Sequence, residues 1–477
     1  MFKDKILSEQ VAVGLIAFTV GTLFLSATQF FMSNQYSLSV FLIIALACLL
    51  AAPIIIRKLR HRDLFWVEPL NFILAICFIA YVFRPLQMLL VDLNNKYLPF
   101  GDNELLYYLN LALFYSILGI ISFYIGYFLF TPWIQGRKSK FSQWSSYRAL
   151  WVVVFYSVIG LICYSVYIEM SGGLWYYITH MGGIRSYDIG NFAMIYWGKY
   201  FFVIGSMLLY IEKLRTSRTS RLFTVIFMLH FLASTFILFS CAARIQLIIF
   251  WLMLIIINYL HRKTLKIPHL IGFLCIVILM VLGVKIFRSA SQGGLSFERL
   301  FFQYQFRIQN VHPLNWLAPE IPWIDVFIVI LRCAPYYSYP LLYGKPFLEA
   351  IMAVLPDWIF AINEATILGI RVTGAFIAPA SWSARSGVNP SLLGAFYLNL
   401  SWPGILIGMF LFGIFCRKLY CYLTKNIENT TVFLIYAVSI GFVIHFSMTG
   451  SIINAIKQFI INLMIIIPAC SYISKRF

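Results

Sequence analysis

Long apolar stretches alternate with short polar or basic segments along almost the whole of this chain. A helix needs about 20 mostly apolar residues to cross a membrane. Stretches of about this length predict spanning helices near residues 11–31, 37–56, 66–83, 105–132, 149–169, 192–212, 222–241, 245–260, 268–287, 391–416, 432–448 and 451–472. We therefore expect an all-α polytopic membrane protein with about twelve transmembrane helices.

The basic residues between these stretches are concentrated on alternate loops. Lys and Arg collect in the cytoplasmic loops of membrane proteins. The clusters lie at 3–5, 57–62, 137–148, 213–221, 262–266, 417–425 and 475–476. Because they all fall on the side of the N-terminus, we expect a multi-pass protein with both termini cytoplasmic. The first apolar run is then expected to be an uncleaved signal anchor.

Composition supports the membrane assignment and explains the charge. Hydrophobic residues make up 61% of the 477 residues and charged residues only 11%, whereas soluble proteins have about 25% charged residues. The basic cytoplasmic loops account for the net charge of +19, so it does not indicate a nucleic-acid partner. Neither the histidines nor the nine cysteines show metal-site spacing, and we expect no metal and no cofactor.

One long segment, 288–389, is not a plain membrane span, because charges, aromatics and prolines are mixed along it. The topology predicts nine helices over 1–287, a large periplasmic loop over 288–390, and three helices over 391–477. The best apolar run of the loop, 326–331, is too short to span and is bounded by Asp325 and Arg332. We expect short amphipathic or re-entrant helices on the outer leaflet.

Two arginines near the outer ends of spans suit an anionic ligand. Arg185 follows two glycine pairs in its loop, and Arg244 lies in a very tight hairpin between two spans. A guanidinium binds phosphate through two parallel hydrogen bonds. The alternatives are contact with lipid phosphate for Arg185 and snorkelling to the interface for Arg244. Snorkelling also explains Lys199, Lys285 and Lys457, which lie near the outer ends of spans.

The segment 387–413, GVNPSLLGAFYLNLSWPGILIGMFLFG, resembles the C-terminal motif of O-antigen polymerases, which are bacterial inner-membrane proteins. The matching positions are Gly387, Pro390, Ser391, Gly394, Tyr397, Asn399, Gly404, Gly408 and Gly413. Further blocks at 172–191, 240–250 and 343–360 resemble other parts of the same family in the same order. Ala395 stands where the family often has Glu, so no catalytic carboxylate is carried over there.

The resemblance implies inverting glycosyl transfer on the periplasmic face, by an architecture like that of GT-C-type glycosyltransferases. A glycan on undecaprenyl diphosphate would join a new lipid-linked repeat unit, with a chain-length regulator protein as a partner. The implied catalytic residues are Asp357, Glu349 and Glu298, with Asp325 and Glu364 as further carboxylates. A structural cap or ion-pair role is the alternative for each of them. The implied diphosphate- or sugar-binding residues are Arg185, Arg244, Arg288, Arg371, Arg385 and Tyr397.

Two other functions stay open. An O-antigen ligase shares the arrangement of many spans and one large periplasmic loop, but its acceptor is lipid A-core. A lipid-linked oligosaccharide flippase belongs to a different class and needs polar residues around a central cavity in its spans. The near absence of charge in the spans and its concentration in 288–389 argue against transport.

Overall fold

The computed structural model describes residues 35–59, 66–91, 101–129, 144–179, 193–216, 221–241, 244–262, 323–336, 341–352, 354 and 389–474. Those residues form helices and turns, with no strand among them. The helices are α1 (Gln35–Leu59), α2 (Pro69–Phe78), α3 (Arg84–Val91), α4 (Asp102–Tyr124), α5 (Ser146–Met170), α6 (Leu174–Thr179), α7 (Ala193–Arg215), α8 (Arg221–Ser240), α9 (Arg244–Arg262), α10 (Trp323–Tyr336), α11 (Lys345–Met352), α12 (Leu392–Lys425), α13 (Thr430–Thr449) and α14 (Ile452–Ser474).

Nine helical segments within the described ranges are long and apolar enough to cross a membrane. They correspond to nine of the predicted spans, and they confirm a polytopic α-helical membrane protein. The predicted spans at 11–31 and 268–287 lie outside the described residues. The predicted span at 192–212 matches α7, a 23-residue helix that is not one of the nine.

The helices form one packed assembly around α13, of which 83% is buried. The Asn429 side chain caps the start of α13 by accepting a hydrogen bond from the Thr431 backbone N–H at 3.0 Å. Gly450 ends the helix in the left-handed conformation, at φ 61°. The helices α9, α12 and α14 pack against α13, while α5 packs mainly against α7.

The helices α5 and α8 present apolar side chains outward. Their exposed large apolar residues include Trp151, Val154, Phe155, Val158 and Ile162 on α5, and Leu222, Val225, Leu229, Leu232 and Phe236 on α8. A soluble monomer rarely exposes contiguous apolar surface on this scale. These faces are therefore suited to contact with lipid chains.

A π-helical turn at Ile79–Phe83 joins α2 to α3. Pro85 follows it and has no N–H to donate to the carbonyl four residues earlier, which favours a wider turn at that point. Arg84, between the turn and the proline, is buried. Its guanidinium donates to the Asp325 carboxylate at 3.1 and 3.3 Å and to the Gln87 side chain at 3.0 Å.

The helix α10 belongs to the long segment and is enclosed by other helices, a position that agrees with the re-entrant alternative and not with a helix lying on the outer leaflet. Residues 324–331 are all buried, none of them more than 3% exposed, and α10 packs against α4 and α12. Arg84 pairs with Asp325 at one end of the apolar run, and Glu104 of α4 pairs with Arg332 at the other, at 2.7 Å. The charges that mark the run as a loop are therefore neutralised by residues from other helices.

The helix α12 is interrupted, so the prediction of one plain span at 391–416 needs correction. Leu400 and Ser401 leave helical geometry, at φ −142° and φ 58°. A Cβ at Gly404 would collide with the carbonyl oxygen of Phe396, and one at Gly408 would collide with the Phe396 ring. Phe396 and Gly408 are twelve positions apart, and a straight helix would separate them by about 18 Å. Residues 392–400 must therefore fold back against the rest of α12.

Candidate active site

Two distant segments that carry the family resemblance meet through backbone hydrogen bonds. The N–H groups of Leu342 and Tyr343 donate to the carbonyl oxygens of Leu398 and Asn399, both at 3.0 Å. The N–H of Gly344 donates to the Asn399 side-chain oxygen at 3.0 Å, across 55 positions of sequence. The folded-back part of α12 therefore holds the start of α11 in a defined position.

Asn399 and Ser391 support this junction from within α12. The Asn399 side-chain amide donates to the Ala395 carbonyl at 2.7 Å, so both ends of the side chain are used. Ser391 caps the helix, with its hydroxyl oxygen accepting from the Gly394 N–H at 3.2 Å. A Cβ on Gly450, the last residue of the α13 turn, would overlap the Ser391 carbonyl. The sequence motif is thus mainly a packing motif.

Backbone strain in the described part of the chain is concentrated around the same junction. Its non-glycine residues with positive φ are Tyr343, Ser391 and Ser401, whereas glycines with positive φ occur both here, at Gly344 and Gly450, and after α5, at Gly172 and Gly173. Such conformations cost free energy and collect at functional sites. This concentration makes the junction of α11, α12 and α14 the candidate active site.

Glu349 is the one predicted catalytic residue within the described ranges. It lies on α11, which packs against α14, and it is only 8% exposed. Among the described residues, neither carboxylate oxygen has a hydrogen-bond partner within 3.5 Å, and the Lys345 ammonium lies 3.7 Å from one of them. Burial raises the pKa of Glu349, and Lys345 opposes that rise. A buried carboxylate with free acceptor oxygens has the properties of a general base.

Of the other predicted site residues, some lie within the described part of the structure and most lie outside it. Tyr397 is buried, with its ring against Tyr115 at 6.0 Å and Phe327 at 6.2 Å between centroids. Arg244 begins α9, and its side chain lies outside the described part of the structure. Also outside the described ranges are Arg185, Arg288, Glu298, Asp357, Glu364, Arg371 and Arg385. Asp325, by contrast, has the structural ion-pair role, with Arg84.

Lys199 is enclosed by the protein, which corrects its interpretation as a snorkelling lysine. The residue is 1% exposed, and its Nζ lies 3.3 Å from the centre of the Tyr196 ring, with no oxygen partner among the described residues. Residues three apart face each other on a helix, so the sequence does place Tyr196 beside Lys199. The sequence does not show that other helices enclose both.

A small polar cavity lies between α7, α9, α13 and α14. Tyr200, Gln246, Gln458 and Asn462 line it, and each has a buried side-chain oxygen without a hydrogen-bond partner in the part of the chain that the structure describes. The free space has room for about one water molecule, which such oxygens commonly hold. In the described residues, no three His, Cys, Asp or Glu side chains are grouped as metal ligands would be.

No family model, no curated protein and no solved structure matches this chain.

Proposed function

We propose that this protein is a membrane glycosyltransferase that polymerises oligosaccharide repeat units carried on a polyprenyl diphosphate. The observation that supports it most is the junction at Asn399, which joins two segments that resemble O-antigen polymerases. Glu349 follows that junction by one helical turn and has free acceptor oxygens. The product would be an O-antigen or a capsular polysaccharide, made at the periplasmic face of the inner membrane.

In the proposed reaction an acceptor hydroxyl attacks the anomeric carbon of the donor glycan. The new carbon–oxygen bond forms as the bond to the diphosphate breaks, with inversion at that carbon. Glu349 accepts the hydroxyl proton, and the departing diphosphate carries the bonding electron pair. Positive side chains stabilise the charge that grows on the diphosphate, and Arg244 at the start of α9 is assigned to that role.

The alternative function as a flippase requires polar residues around a central cavity within the membrane-spanning helices. Arg84, Lys199 and Glu212 are all buried, so the helices are less free of charge than the sequence suggested. However, Arg84 is paired with Asp325, and Glu212 accepts a hydrogen bond from the Trp144 side chain at 2.8 Å. The cavity at Gln458 has room for about one water molecule, so this cavity is not itself a site for an oligosaccharide. We therefore favour transfer over transport.

Deletion of the gene in a strain with smooth lipopolysaccharide tests the proposal directly. We expect lipopolysaccharide with a single repeat unit on its core, because transfer of one unit to the core needs no polymerisation. Gel electrophoresis of the extracted lipopolysaccharide measures this. Lipid-linked polymer without any repeat on the core would instead indicate a ligase, and single units trapped on the cytoplasmic face would indicate a flippase.

The membrane orientation has its own test. Alkaline phosphatase fused near residue 340 should be active and the same enzyme fused near residue 140 inactive, since this enzyme folds only outside the cytoplasm. The expectation follows from the basic clusters at 137–148 and on the other loops of that side. The reverse pattern of activity would place Glu349 in the cytoplasm and would exclude periplasmic transfer.

A further inference from the structure

Lys199 is a buried ammonium with no carboxylate partner among the described residues. Among the described residues its Nζ has no oxygen partner, and the rings that face it are Tyr196, at 3.3 Å, and Tyr200, at 5.6 Å. The Cys241 thiol also lies close to it. The other buried cations that the structure describes, Arg84 among them, reach carboxylate, carbonyl or hydroxyl oxygens.

More positive charge lies at the same end of the helices. The Lys457 Nζ, in the first turns of α14, lies 5.6 Å from the centre of the Trp197 ring. That ring stacks on Tyr200 at 5.7 Å, and Tyr200 also faces Lys199. Cys241 follows α8 directly, and Arg244 begins α9 three positions later. We call Lys199, Lys457 and Arg244 the basic end of the bundle.

The surroundings of Lys199 compensate its charge only in part. An aromatic ring attracts an ammonium, but this attraction is smaller than the cost of removing the charge from water. A buried, uncompensated charge inside a membrane protein is kept when a ligand or a pathway uses it. The partner that this ammonium lacks is an anion, since the described groups that face it are aromatic rings and a thiol.

We propose that the basic end binds the diphosphate of a lipid-linked glycan, with Lys199 as a direct ligand of a phosphate oxygen. This proposal rests on the proposed function, which supplies a substrate with that group. An ammonium is a compact point charge that suits phosphate oxygens from any direction. The rings of Tyr196 and Trp197 offer apolar surface beside it, which suits the first isoprene units of the carrier.

Binding of farnesyl diphosphate to the purified, detergent-solubilised full chain tests this proposal. We expect Lys199→Met to weaken binding at least tenfold, as measured by ligand-induced thermal shift across a concentration series. Without ligand, this variant should unfold at the same temperature as the wild type or higher, because methionine removes a buried charge. Lys213→Met is the matched control, since Lys213 is on the same helix, 4.9 Å from the centre of the Phe227 ring, at the other end.

Each outcome decides the proposal. Wild-type affinity in Lys199→Met, or equal binding of farnesol, would overturn it. Unfolding of Lys199→Met at a clearly lower temperature would also overturn it, because the ammonium would then be structural. If inorganic diphosphate bound as tightly as farnesyl diphosphate, and this binding also depended on Lys199, the anion site would be supported. The free anion would then be a sufficient ligand. The binding assay does not require glycan transfer, so it is independent of the gene-deletion test. If deletion left the lipopolysaccharide unchanged while binding still depended on Lys199, only the proposed polymerase function would be refuted.

Discussion

Glu349→Gln should lower the rate of repeat-unit polymerisation by at least about 100-fold, because glutamine cannot accept the proton of the acceptor hydroxyl. The change keeps the size of a side chain that is 8% exposed. It also breaks no hydrogen bond shorter than 3.5 Å among the described residues, and it weakens only the 3.7 Å contact with Lys345. The protein should therefore still insert and fold. Transfer between lipid-linked repeat units by the purified variant is the measurement.

Glu104→Gln is the matched control, since Glu104 is also a carboxylate in an ion pair near the predicted outer face. Its side chain is 39% exposed, and its partner Arg332 is 35% exposed. We expect its rate to stay within about twofold of the wild type, because exposed ion pairs contribute little. If Glu349→Gln kept the wild-type rate, Glu349 would not be the general base, and Asp357 and Glu298 would be the remaining candidates.

The pH dependence separates catalysis by Glu349 from a structural role. A base works only when it is ionised, so the rate should fall as the pH drops through the pKa of Glu349. Burial raises that pKa, and the Lys345 ammonium, 3.7 Å away, lowers it. Lys345→Met should therefore move the acid limb of the pH–rate profile to higher pH. An unchanged acid limb would argue against Glu349 as the base.

Arg84→Met should lower the free energy of unfolding by about 3–5 kcal/mol, because it leaves the Asp325 carboxylate buried and unpaired. Both side chains of this pair are only 5% exposed. Arg84 also donates to Gln87, so the substitution removes a further hydrogen bond. Thermal or denaturant-induced unfolding of the purified variant measures the loss.

A double variant shows whether the ion pair itself stabilises the protein, or whether the loss in Arg84→Met comes from leaving one charge buried without a partner. Arg84→Met combined with Asp325→Leu should recover most of the lost stability, because apolar residues can replace a buried ion pair. Arg332→Met should cost less than about 1 kcal/mol, since the pair of Arg332 with Glu104 is half-exposed. If Arg84→Met were as stable as the wild type, the pair would not hold α10 in place.

The helical content was predictable from the sequence because apolar length and helix ends are local properties. The predicted span at 432–448 corresponds to α13, Thr430–Thr449, and that at 149–169 corresponds to α5, Ser146–Met170. Asn429 and Gly450 mark the two ends of α13 with residue types that favour helix ends. The basic loops also predict how the helices are oriented across the membrane, and that orientation stays a prediction.

The interior of the long segment was not predictable in the same way. The run at 326–331 is short and flanked by Asp325 and Arg332, which is typical of a surface helix. Its burial depends on Arg84 and Glu104, which are more than 220 positions away in the sequence. The reversal of α12 at Ser401 was likewise hidden, because the apolar composition continues through it.

By itself, the sequence determined that this is a polytopic α-helical membrane protein, and it placed most of the helices. It also included Glu349 among five candidate carboxylates and drew attention to the segments at 343–360 and 387–413. Only the tertiary structure decided that Gly344 meets Asn399, that Asp325 is an ion-pair partner and that Lys199 is enclosed. The reason is physical: the cost of a buried charge or an unusual backbone is set by distant residues, and no local pattern records them.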